Sequence, residues 1–142
     1  MTKDLTKARI LLDAGDYTCV VCKEDAIYTA TKRGVYPLLH WVDTQTNLTG
    51  FSAADRVVGR GAAFLYVLLG VKEVYAHIMS RPAADVLTAH GISAHAETYV
   101  DGIINRTGTG PCPFEAAVLT TEDPAEALAA IRSKMRQMTG GN

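Results

Sequence analysis

The run AAFLYVLLGV at Ala62–Val71 constrains this chain more than any other stretch. A helix that is apolar on nearly every side belongs inside a core, sandwiched between layers. The run is also only about half of the ~20 apolar residues that a membrane-spanning helix needs, so burial within protein is the reading it supports. The flanking sequence carries this helix back to Ser52 as its cap, with Asp55 at the third helical position favourable to the N-terminal dipole. Forward, it runs to Leu69 and ends at Gly70.

Elements of both periods surround it. Leu5, Ala8, Leu11 and Leu12 share one face of a predicted helix over 3–14, which Gly15 stops. Residues 17–22 and 26–31 read as a hairpin across the polar turn Lys23-Glu24-Asp25. Residues 37–42 read as a short buried helix, and 47–50 as loop. Residues 71–79 read as a strand, and Ser80 with Pro82 opens a helix that Gly91 follows. Residues 92–95 read as a further strand, and 97–104 fit strand or helix. After the glycine-rich stretch NRTGTGP, a helix opens at Cys112, and a last one begins with Asp123 as cap and Glu126 in a capping-box position. A hairpin followed by βαβ crossovers predicts an α/β fold, a mixed sheet between helices in a three-layer α-β-α sandwich. The length, 142 residues, suits a single domain over 1–142.

Composition excludes several function classes. An apolar fraction of 48% is too high for disorder. Fourteen basic residues against fifteen acidic ones leave a net charge of −1, with no broad positive field for nucleic acid. No apolar stretch suits a membrane or a leader, and three cysteines, an odd number, suit reduced thiols in the cytoplasm. So many apolar residues in a small domain also predict some burial between subunits of a homo-oligomer.

Two strings invite a zinc reading. His95-Ala96-Glu97 spells the H-A-E of zinc deaminases, and Pro111-Cys112 begins their P-C-x-x-C, in which one His and two thiolates hold the metal and the Glu shuttles protons. The second cysteine position is Glu115, however, and thirteen residues between Glu97 and Pro111 cannot hold the intervening helix and strand. The match is read as coincidence.

In that superfamily a hairpin leads to a helix opening with H-A-E, then a strand, then a helix opening with P-C-x-x-C. The order read here, hairpin 17–31, helix 52–69, strand 71–79 and a helix from Ser80-Arg81-Pro82, resembles it over most of the chain. Within that order, residues 54–63 (ADRVVGRGAA) and 104–115 (INRTGTGPCPFE) resemble one uncharacterised prokaryotic family of unknown function in the cytidine-deaminase-like superfamily. The resemblance implies the fold and removes the known chemistry. Val58-Gly59-Arg60-Gly61 stands where H-A-E is expected, and Pro82-Ala83-Ala84-Asp85-Val86 where P-C-x-x-C is expected, and Ala, Val and a cationic Arg are not zinc ligands. No metal and no cofactor is expected.

The remaining candidate is NRTGTGPCPFE. Gly108 and Gly110 free the backbone so that successive N–H groups can line one concavity, Arg106 offers a bidentate grip, and Asn105 adds a polar side chain. With the helix start at Cys112 this predicts a cradle for a small anionic ligand, and a thiol of lowered pKa. The plainer reading is a glycine-rich turn with Cys112 packed and Glu115 supporting a cap. Arg56 and Arg60, four apart, share a helical face in this reading and either face the ligand or form surface pairs; Arg33, after the hairpin, could join this pocket, although nothing in the sequence alone requires it. Gly59 and Gly61 within a helix require a reason, either close packing or close approach of a ligand. Cys19 and Cys22 read as core residues, and Tyr36 and Trp41 as core or interface rings, with a base stack as the alternative. His77 reads as a hydrogen-bonded histidine and His90 as a helix-end group.

Three functions compete. The first is a small-anion binding or regulatory module on a deaminase-like scaffold. The second is a zinc-independent enzyme with Cys112 as nucleophile and Glu115 beside it. The third, a zinc deaminase with rearranged ligands His95, Cys112 and Glu115, has least support.

Overall fold

A computed structural model describes residues 1–105 and 107–139. The elements run α1 (Lys3–Ala14), β1 (Cys19–Lys23), β2 (Ala26–Ala30), α2 (Tyr36–Asp43), β3 (Ser52–Val58), α3 (Arg60–Leu69), β4 (Glu73–Ser80), α4 (Arg81–Ala89), β5 (Ser93–Val100), α5 (Pro113–Ala117) and α6 (Pro124–Thr139). The five strands form one mixed sheet in the order β2-β1-β3-β4-β5, antiparallel on the hairpin side and parallel from β3 to β5. Helix α1 packs alone on one face, burying Leu5, Ala8 and Leu12 against Val20, Cys22, Ala54 and Tyr75. The other five helices cover the opposite face around Leu38, Phe64, Leu65, Met79, Leu87 and Ile131. This is a three-layer α-β-α sandwich on a mixed sheet. None of the described helices is long and apolar enough to cross a membrane.

Local signals explain most boundaries. The Thr2 hydroxyl accepts from Leu5 N–H at 3.1 Å to start α1, and Ser80 does the same for Ala83 at 3.1 Å to start α4. Asp123 accepts from Glu126 N–H at 3.1 Å to start α6. Gly70 takes φ +84° after α3, where a Cβ would meet Thr49 at 2.9 Å.

One expectation fails. Residues 52–69 are not a single helix: 52–58 form β3, and Gly59 is the N-cap from which α3 runs. The strand lies at the centre of the sheet, with Ala53 in one core cluster and Ala54 in the other. A strand buried on both faces shows no period-two alternation, and small alanines let both layers approach closely. Ser52 is therefore no helix cap. It is buried and donates to Glu73 at 2.6 Å. Asp55 is likewise no dipole partner, being buried in the sheet beneath α3. The stretch 97–104 resolves into strand as far as Val100.

Candidate functional site

The register brings the C-terminal ends of β2, β3, β4 and β5 to one edge of the sheet. Helices α2, α3 and α4 all begin there. In open α/β sheets this edge is where ligands bind, because helix N-termini and irregular backbone converge on it. With 52–58 a strand, the order of elements expected from the resemblance shifts by one. The helix after the hairpin is α2, opening Val35-Tyr36-Pro37, and the helix after the next strand is α3, opening Gly59-Arg60-Gly61-Ala62-Ala63. The positions 58–61 and 82–86 assigned from sequence are therefore displaced. Neither corrected opening carries His, Cys or a carboxylate, and no group of three such side chains among the described residues is placed to hold a metal ion.

Glu115 occupies this edge. Its carboxylate accepts from Arg60 N–H at 2.8 Å and reaches Gly61 N–H at 3.4 Å, across 55 residues of sequence, so it caps α3 from α5. Gly59 makes this possible: a Cβ there would stand 1.5 Å from Glu115 Oε1 and 2.9 Å from Ile103. Burial pushes the Glu115 carboxyl above its ordinary value, while the Arg60 and Gly61 amides and the Arg60 charge pull the other way. Beside it opens a cavity of about 180 Å³, lined by Ser80, Pro82, Ile103, Pro111 and Leu119 among others.

The two arginines part company. Arg56, on β3, reaches the α1 side of the sheet, where its guanidinium donates to the carbonyls of Tyr17 at 2.7 Å, Leu12 at 3.1 Å and Gly15 at 3.3 Å. It thus supplies the cation that the last turn of α1 lacks. Arg60 lies in the helical layer, bonds the carbonyl of Val118 and Glu122 Oε1 (3.1 Å), and covers the Phe64 ring at 4.9 Å. They share neither a helical face nor a cavity, because a strand-to-helix junction separates them.

The glycine-rich loop is closed on itself. Gly108 N–H donates to Asn105 O at 3.1 Å, Thr109 N–H to Asn105 Oδ1 at 3.0 Å, and Asn105 N–H to Gly110 O at 2.8 Å. Cys112 N–H donates to Ile103 O at 2.9 Å, and residue 111 is proline. Most of the donors expected to line an anion cradle are spent within the loop, which accounts for Asn105, Gly108 and Gly110. Arg106 lies outside the described residues. The half-buried Cys112 is the N-cap of α5, with its side chain against the core. No histidine is hydrogen-bonded to it. His77 is paired with Asp13 at 2.9 Å, His90 with the carbonyl of Val86 at 2.9 Å, His95 lies 3.9 Å from Glu73, and His40 lines a groove beside α2. The H-A-E string lies on β5.

Sequence reasoning placed Glu115 near a helix start but not at α3. The available signal was the pair Gly59 and Gly61, whose cost to the helix demanded a close neighbour, and Glu115 is that neighbour at Gly59.

Comparison with known proteins agrees with this architecture. A family model described as a domain of unknown function, DUF1893 (TM1506), matches residues 7–135. A crystal structure of a DUF1893 family protein, TM1506 from Thermotoga maritima, is 24% identical, covers 94% of this chain and 92% of that one, and superposes with a TM-score of 0.85. The apo dCMP deaminase of cyanophage S-TIM5 is 14% identical, over 68% of this chain and 99% of that one, with a TM-score of 0.44. No curated protein matches the chain.

Proposed function

The chain belongs to the DUF1893 family of unknown function, and from that premise we propose that it is a metal-free binding or regulatory module for a small anionic ligand, a carboxylate or phosphate. The reading rests on one observation: a carboxylate, that of Glu115, sits on the N–H groups of α3 in a slot that only glycine at 59 leaves open. A helix N-terminus joins unsatisfied donors to a partial positive charge, and here the chain's own anion fills it. A ligand anion would replace that carboxylate, with its remaining atoms in the adjoining cavity. Competition with a tethered group lowers the apparent affinity, so binding and the position of Glu115 become one coupled equilibrium. Binding is favoured over nucleophilic catalysis because, among the described residues, no base is hydrogen-bonded to the Cys112 thiol.

Sulfate and acetate titrations, followed through the backbone amides of Arg60 and Gly61, test this. In Glu115→Ala, both anions are expected to shift those amides saturably, with midpoints about tenfold or more below wild type. Absence of a saturable shift in a folded Glu115→Ala protein overturns the proposal.

A further inference from the structure

A second recess lies between the edge strand β2, helix α2 and helix α6, a groove of about 500 Å³. Tyr36 and Trp41 line it: Tyr36 is 37% exposed, its ring edge-on to Phe114, and Trp41 is almost covered, its ring beside Tyr28. Lys32 and His40 also line it, and neither enters an ion pair among the described residues. The carboxylate of the lining, Asp43, is already held by Arg132 at 2.5 Å. The groove thus offers aromatic surface, one uncompensated cation and one free imidazole within a volume typical of small-molecule sites.

These groups select a particular chemistry. An aromatic wall gains most from a planar ring, which stacks or meets it edge-on. A lysine without a carboxylate partner gains most from an anion, since a neutral ligand leaves its charge unanswered. We infer that this groove binds a ring-bearing anion, an aryl phosphate or aryl carboxylate, with the ring against Tyr36, beside the covered Trp41, and the anionic group on Lys32 and His40. The inference is independent of the Glu115 site, whose donors are the backbone of α3.

Trp41 is the only tryptophan in the chain, so its fluorescence reports on this groove without labelling. Phenyl phosphate, benzoate, phenol and inorganic phosphate are the probes, with the amide shifts of residues 31–41 recorded in parallel. Phenyl phosphate or benzoate is expected to saturate both signals at a midpoint about tenfold below those of phenol and of inorganic phosphate. The double variant Lys32→Ala/His40→Ala should raise that midpoint about fivefold with unchanged circular dichroism, and Glu115→Ala should leave it where it is. Phenol binding as tightly as phenyl phosphate, an unaltered midpoint in the double variant, or no saturable signal from either aryl anion overturns the inference. Preference for phenyl phosphate over benzoate assigns the phosphate arm, and the reverse assigns the carboxylate.

Discussion

Asp55 is buried and Glu115 half-buried, and desolvation raises both carboxyls above their ordinary values, yet they are held in opposite ways. Asp55 sits between layers, accepting from the Tyr66 hydroxyl at 2.6 Å and from Arg56 N–H at 2.8 Å, with the Cys19 thiol 3.2 Å from the same hydroxyl. Its side chain is locked into a chain of side chains inside the core. Glu115 is held by backbone N–H groups alone, at the rim of a cavity. Removing an Asp55 partner breaks a closed network, whereas displacing Glu115 leaves donors that any anion of suitable shape can satisfy. The first group is closed into the core, and the second is the one for which exchange with a ligand is proposed.

The sharpest break is Tyr66→Phe. It strips a buried carboxylate of its side-chain donor, and a loss of about 3 kcal/mol is expected in urea melts at pH 7. The loss should shrink at pH 4, where Asp55 is neutral. Next in size is the pH dependence of the wild type. Asp55 is raised from 3.8 to about 6, so the folded state binds its proton more tightly than the unfolded state. Stability from this group is full below pH ~4 and is lost as pH rises through about 6, by roughly 2–3 kcal/mol. Asp55→Asn should flatten that slope, and an Asp55→Asn protein with the wild-type slope over this window refutes the assignment.

A smaller effect tests the other side. Gly59→Ala drives a methyl into the Glu115 carboxylate, and a destabilisation of about 2 kcal/mol is expected. In a Glu115→Ala background the same change should cost much less, and additive losses in that cycle mean that the glycine serves something other than the carboxylate.

Much of this was legible in the sequence. Ser80 with Pro82, Asp123 with Glu126, and the Lys23-Glu24-Asp25 turn are local signals, and each element they mark is present. Strand β3 was not legible, because burial on both faces erases the alternation that betrays a strand and Ala53-Ala54 suits either backbone. That one error carried Arg56 and Arg60 onto a common face and moved the expected metal positions by a whole element. Contact between Glu115 and α3 is a tertiary fact that no spacing encodes. The loop from Asn105 was rich in glycine for a local reason as well: Gly108 takes φ +72° in a turn that Asn105 closes.

The smallest expected effect bears most directly on exchange at Glu115. Sulfate stays ionised across the accessible range, so any pH dependence of its binding to the Arg60 and Gly61 amides belongs to the protein. The Glu115 carboxyl is raised by burial, so on acidification it takes up a proton above the ordinary carboxylate range. A neutral carboxyl is a weaker acceptor for the α3 amides and no longer repels an incoming anion. Sulfate binding to wild type should therefore tighten as pH falls, by about three- to tenfold. Glu115→Gln is neutral throughout and keeps the side chain's shape, so its affinity should match the acid limit of wild type and stay flat with pH. If Glu115→Gln shows the wild-type slope, the titrating group is elsewhere, and Glu115 is a fixed cap like Ser80 on α4.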